Sequence, residues 1–93
     1  MSANSIASIT RVNTRPDPHG HVTITVAGHR FNIVRDLFDN VQVEGIGSIS
    51  GLVEELRWAY GITADLDVPR ILDGLDRSVA RWHEDRARIA ATL

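Results

Sequence analysis

The sequence predicts an α+β fold in which a small N-terminal antiparallel sheet, either a β-hairpin or three strands, packs against two to three C-terminal helices, the last one long. Between His21 and Val34, apolar and polar residues alternate as they do in strands with one buried face. After Asp36, apolar residues recur every three to four positions, which is typical of amphipathic helices. Strands and helices in separate stretches of the chain indicate an α+β protein.

The hairpin is the best-defined β-element. Its first strand places Val22, Ile24 and Val26 on one face, and its second strand follows a turn at 27–30, where Gly28 can adopt a positive φ. Residues 1–12 alternate only weakly, and prolines and a glycine predict a loop over 13–20. We therefore expect residues 1–20 to form a loose arm or an edge strand.

Two helical segments are expected directly after the hairpin. The first is a short helical turn at 37–41. The second begins at Ser48 or Ser50, whose hydroxyl can accept a hydrogen bond from a free backbone N–H, and ends at Gly61 in the left-handed conformation. Its apolar face comprises Leu52, Val53, Leu56, Ala59 and Tyr60.

The last helix is expected to begin with Asp67 as its N-cap and Pro69 in its first turn, and to run nearly to Leu93. Gly74 should weaken it by about 1 kcal/mol relative to alanine. Since 25 residues span roughly 37 Å, residues 83–93 should extend past the body of the protein. A narrow apolar seam follows the helix, formed by Val68, Leu72, Leu75, Val79, Trp82, Arg86, Ile89 and Leu93.

Composition limits the class of protein. With 93 residues and no cysteine, the chain is expected to form a single domain over 1–93 without disulfides. We expect a cytoplasmic protein with no membrane contact, because no apolar run approaches 18 residues and the N-terminus lacks the pattern of a signal peptide. The net charge is −2, so nucleic acid is not an expected partner. All ten basic residues are arginine, and the sequence contains no lysine.

These features favour a small, non-enzymatic interaction or regulatory module. It would form a homodimer or bind a host or cellular protein through the last helix, a function that suits a small protein of a phage or mobile element. Residues flanking the seam offer no good interhelical ion pairs for a parallel coiled coil. Antiparallel packing or a globular dimer is therefore expected. The predicted partner-binding residues are Trp58, Val79, Trp82, Arg86, Ile89 and Leu93.

A DNA-binding regulator is an alternative. The two C-terminal helices are joined by a short connection, as in a helix-turn-helix, and with the hairpin they could form a winged helix. The residues that would reach base edges are Pro69, Arg70, Asp73 and Gly74, followed by Asp76 and Arg77. Their mixed charges would repel phosphate about as much as attract it.

A second alternative is a metal-binding protein. His19 and His21, with His29 across the hairpin turn, could bring three imidazoles to one end of the sheet, and Asp17 could add an oxygen ligand. His83 is distant in the sequence and is expected to face solvent or a dimer partner. Because loop histidines are commonly solvated, the pattern does not by itself predict a metal site.

Enzyme chemistry has little support in the sequence. No serine lies in a Gly-x-Ser-x-Gly elbow. The segment 45–51 is rich in glycine and serine but lacks the lysine of a phosphate-binding loop. We therefore expect no catalytic residues, no cofactor and no enzymatic activity.

Overall fold

The computed structural model describes residues 6–92 and confirms the α+β fold. Four antiparallel strands follow the order of the chain in one sheet, β1-β2-β3-β4, and two helices complete the fold. The elements are β1 (Ile9–Arg15), β2 (His21–Val26), β3 (His29–Arg35), β4 (Val41–Val43), α1 (Ile49–Tyr60) and α2 (Val68–Thr92).

The first strand, β1, forms an edge of the sheet and continues to Arg15, into the stretch predicted as a loop. Pairing with β2 explains the extra length, since Thr14 lies opposite Val22 and Arg15 opposite His21. The register shifts between Ile9 and Arg11, which is a β-bulge. The strand ends before Pro16, which cannot donate a hydrogen bond to the ladder.

The prediction of a helical turn at 37–41 is wrong, because this stretch forms a hairpin turn that leads into β4. One carboxylate oxygen of Asp36 accepts the backbone N–H groups of Phe38, at 2.8 Å, and Asn40, at 3.0 Å. Such local side-chain bonds compete with helix formation. Leu37 and Phe38 are consequently 74% and 82% exposed instead of forming an apolar helical face.

The Asp36 turn should lose stability in acid. Hydrogen bonds from the backbone of Asn40, and then of Phe38, lower the pKa of Asp36 in the folded protein. A carboxyl group with a lowered folded-state pKa stabilises the fold above its ordinary pKa, and this contribution disappears as the pH falls through the folded value. We expect the melting temperature of the wild type to exceed that of Asp36→Asn near neutral pH, and the gap to shrink on acidification. A gap that stays constant down to pH ~3 would contradict this assignment.

The predicted helix caps at Ser48, Gly61 and Asp67 are confirmed. The Ser48 hydroxyl accepts the N–H of Gly51 at 3.0 Å, and Gly61 ends α1 with a left-handed φ of 66°. At the start of α2, the carboxylate of Asp67 accepts the N–H of Arg70 at 3.1 Å. These caps satisfy backbone groups that a helix end would otherwise leave free.

The core lies between one face of the sheet and the two helices. Helix α1 packs beside β4, and α2 packs across β1 and β2. The other face of the sheet carries no helix among the described residues. The buried apolar residues are Ile9, Val22, Ile24, Val26, Ile33, Val43, Leu52, Leu56, Leu66, Ile71 and Leu75.

Helix α2 packs through a face that coincides with the predicted seam only in part, since Leu75 belongs to both. Val68 and Leu72, which belong to the seam, are 40% and 38% exposed. Gly74 accounts for the difference, since a Cβ atom there would lie 3.0 Å from a methyl carbon of both Val12 and Val22. Without that atom the helix approaches the strands closely. The buried residues of α2 are Ile71, Gly74, Leu75 and Ser78.

The fully buried Ser78 ties α2 to the end of the β1–β2 pair. Its hydroxyl accepts the backbone N–H of His21 at 2.9 Å and donates to the backbone carbonyl of Arg15. Beyond Ser78, Arg81 still donates to the backbone carbonyl of Thr14 at 2.9 Å and to its hydroxyl at 2.8 Å. Ser78 is therefore the last buried residue of α2, and the helix leaves the body of the protein over the following turn.

Candidate functional site

The C-terminal part of α2 projects beyond the sheet. From Ser78 to Thr92 the helix runs on for about 21 Å, and residues 86–92 are all exposed. The Cα radius of gyration is 15.4 Å, compared with about 12 Å for a compact domain of this length. We call residues 79–92 the projecting segment.

The side of α2 that packs on the sheet continues along the projecting segment. Trp82 follows Ile71 by 11 residues and Ile89 follows it by 18, which is about three and five helical turns. Both side chains therefore point in the direction of the buried Ile71. Trp82 is half-buried and Ile89 is 60% exposed. An apolar stripe that begins in the core thus extends past the sheet, where no other described residue covers Ile89.

Contacts around Trp82 order the start of the projecting segment. The Arg86 guanidinium lies 4.8 Å from the centre of the indole ring, a cation–π arrangement, and the His83 ring meets the indole edge-on at 5.1 Å. Val79 is half-buried beside them. Four of the predicted partner-binding residues therefore share this segment, namely Val79, Trp82, Arg86 and Ile89. The fifth helix position, Leu93, lies outside the described residues.

Trp58, the remaining predicted partner-binding residue, lies elsewhere. It is 78% exposed in the last turn of α1, and nearby Tyr60 packs against His29 with ring centres 4.4 Å apart and the ring planes tilted by 41°. His29 is at the β2–β3 turn, whereas α2 leaves the sheet beside Arg15, at the opposite end of the strands. The structure therefore does not bring Trp58 together with the projecting segment.

His21 and His29, two of the three histidines considered as metal ligands in the alternative interpretation, do not converge. His21 lies opposite Val34, whereas His29 lies opposite Val26 at the hairpin turn, so the two occupy opposite ends of β2 and β3. His21 and Val26 are five positions apart along β2, a distance of about 17 Å. Within residues 6–92, no three histidine, aspartate or glutamate side chains are arranged to hold a metal ion.

The two helices do not form the pair that a helix-turn-helix requires. Helix α1 packs beside β4, and α2 packs on β1 and β2. The arginines at the start of α2 also bond within the chain. Arg70 donates to the carbonyl of Ile9 at 2.8 Å, and Arg77 donates to Asp73 at 2.9 Å.

The open face of the sheet gathers polar side chains from distant parts of the chain. Opposite Thr25 lie Arg11 on one side and Arg30 on the other, and opposite Thr23 lie Asn13 and Asn32. Arg15 adjoins His21 at the end of this face. This group of residues was not predicted from the sequence. The alternation within the strands could have revealed this polar group, because it places these residues on the face of the sheet away from the apolar residues.

A shallow depression lies at one end of the open face. It has a volume of about 390 Å³ and is lined by Thr10, Arg11, Thr25, Gly28 and Arg30. The Thr10 hydroxyl donates to the backbone carbonyl of Thr25 at 3.2 Å. The two guanidinium groups and the Thr25 hydroxyl remain able to donate hydrogen bonds to an anion.

Comparisons with protein families, characterised proteins and solved structures give no match to this chain. Among the described residues, no helix combines the length and the apolar character that crossing a membrane requires.

Proposed function

We propose that this chain is a small, non-enzymatic interaction module that associates through the projecting segment of α2, with a second copy of the chain as the partner. The observation that carries the proposal is the apolar stripe of α2, which continues past the sheet as Trp82 and Ile89. A short helix without tertiary contacts is only marginally stable in water. Packing against a partner would stabilise these turns and cover the stripe.

An antiparallel pair of helices fits the side chains of this segment. Aligning two copies so that Trp82 of one faces Ile89 of the other also places Arg86 opposite Asp85. The apolar residues then meet across the interface, and opposite charges meet at its centre. A parallel pair in register would place Arg86 opposite its own copy, which is unfavourable because like charges repel.

The experiment that locates the interface compares two aspartate substitutions on the same turn of the helix. Ile89→Asp introduces a charge on the stripe, and Ala87→Asp introduces the same charge on the opposite side of α2. Burying an isoleucine contributes about 1.5–3 kcal/mol, and each dimer contains two, so Ile89→Asp should weaken dimerisation by roughly 100-fold or more. Sedimentation equilibrium measures this change directly.

The control should separate the proposed surface from a general effect of charge. We expect Ala87→Asp to keep the dimerisation constant of the wild type within a few-fold. Circular dichroism should show an unchanged fold for both variants, because both positions are exposed. An interface on the Trp82–Ile89 stripe would be refuted if Ile89→Asp and Ala87→Asp had the same dimerisation constant, whether both dimerised or both failed to.

A further inference from the structure

We infer that the open face of the sheet, formed by β1, β2 and β3, binds the phosphate backbone of duplex DNA on both sides of the major groove. This inference is independent of the proposed dimer, because the open face and the projecting segment are different surfaces. It departs from the expectation based on net charge. Arginines that are dispersed along the sequence come together on this face through strand pairing.

The arginines of the open face differ from most of the other arginines in their side-chain contacts. Six of them contact groups within the chain: Arg35, Arg70, Arg77, Arg81, Arg86 and Arg88. Of the remaining four, Arg11, Arg15 and Arg30 lie exposed on the open face, and Arg57 lies on α1. Within residues 6–92, the open-face arginines form no hydrogen bond or ion pair through their side chains. Their donors are therefore free for a ligand.

Carboxylates are nearly absent from the open face. None of the four strands contains aspartate or glutamate. Glu44 follows β4 and borders the face beside Asn32, to whose carbonyl its backbone N–H donates at 2.9 Å. The other acidic residues lie in the helices, caps and loops. At physiological salt, charges more than about 8 Å apart are largely screened, so the local charge of the face matters more than the net charge.

The dimensions and side chains of the face favour duplex DNA. Arg11 and Arg30 are two strands apart, so their backbones are separated by about 10 Å, close to the ~12 Å width of the major groove. They are placed to reach phosphates on both rims of the groove. Thr25 lies between them, and Asn13, Thr23 and Asn32 form the next row of the face. Threonine and asparagine side chains hydrogen-bond to phosphate oxygens.

Other macromolecules fit this face less well. Single-stranded nucleic acids are held largely by stacking on aromatic rings, and the face has no phenylalanine, tyrosine or tryptophan. The major groove of duplex RNA is too deep and narrow for side chains to read. Protein interfaces are commonly built around buried aromatic or aliphatic residues, whereas this face is polar throughout its centre.

The test measures binding of a fluorescently labelled, random-sequence DNA duplex of about 20 base pairs by anisotropy between 50 and 200 mM salt. Three phosphate contacts predict a fall in affinity of about 40-fold across this range. Arg11→Gln and Arg30→Gln should each weaken binding at 50 mM salt and reduce the slope of log affinity against log salt by about 0.9. Arg57→Gln is the matched control and should bind as the wild type does. Glu44→Gln should bind more tightly, because it removes the bordering negative charge.

Three results would overturn the inference. The first is absence of duplex binding by the wild type at 50 mM salt. The second is a loss of affinity in Arg57→Gln equal to that in Arg11→Gln and Arg30→Gln, which would indicate non-specific attraction. The third is tighter binding of single-stranded DNA or duplex RNA of the same length, which would assign the face to another nucleic acid. Melting temperatures should match among the variants, since the substituted side chains are exposed.

Discussion

Gly74→Leu is expected to lower the free energy of unfolding by about 2 kcal/mol, because overpacking a close contact costs more than the gain in helix propensity. Even a Cβ atom at this position would lie 3.0 Å from methyl carbons of Val12 and Val22. A leucine side chain would force α2 away from the strands and disturb the contacts on either side of it. For a protein of this size, that corresponds to a fall in melting temperature of roughly 8–16 °C.

Thermal unfolding of Gly74→Leu beside Ala80→Leu tests this expectation. Ala80 is exposed on the same helix, so its substitution should change the free energy of unfolding by less than about 0.5 kcal/mol. If Gly74→Leu had the melting temperature of the wild type, α2 would not approach the strands as closely as the structure shows at Gly74. In that case the direction assigned to Trp82 and Ile89 would also lose its basis.

The second large effect is expected for Leu75→Ala, which should lower the free energy of unfolding by about 2–5 kcal/mol. Leu75 is completely buried, and its side chain lies against Gly20, where an added Cβ would come within 3.2 Å of it. Leu72, three residues earlier, is 38% exposed. Leu72→Ala should cost less than Leu75→Ala because part of its surface already contacts water.

Urea unfolding of these two leucine variants tests which side of α2 faces the sheet. The structure predicts a clearly lower midpoint for Leu75→Ala and a similar denaturant slope for both, as long as unfolding remains two-state. Equal losses would instead support the seam predicted from the sequence, on which both leucines are core residues. The comparison needs no assumption about a partner, since it concerns only the packing within one chain.

The elements that could be predicted from the sequence are those governed by local chemistry. A hydroxyl at Ser48, a carboxylate at Asp67 and a glycine at position 61 terminate helices through bonds within a few residues. The alternation over 22–26 likewise reports which face of β2 is buried. The projecting segment was also expected, because the helical pattern is longer than a chain of this size can cover.

Features that depend on distant partners could not be predicted in this way. The length of β1 is set by pairing with β2, and the face of α2 is set by the methyl groups that meet Gly74. Arg11 and Arg30 are 19 positions apart in the sequence and become neighbours only through the register of three strands. The separation of His21 from His29 follows from the same register.

We propose that the projecting segment of α2 joins two copies of this chain. Light scattering of the full chain over a hundredfold dilution series measures this association. We expect the mass to fall from twice the chain mass of 10.3 kDa towards one chain as the protein is diluted. A mass of one chain at every concentration, with the helix content of α2 retained, would contradict the claim.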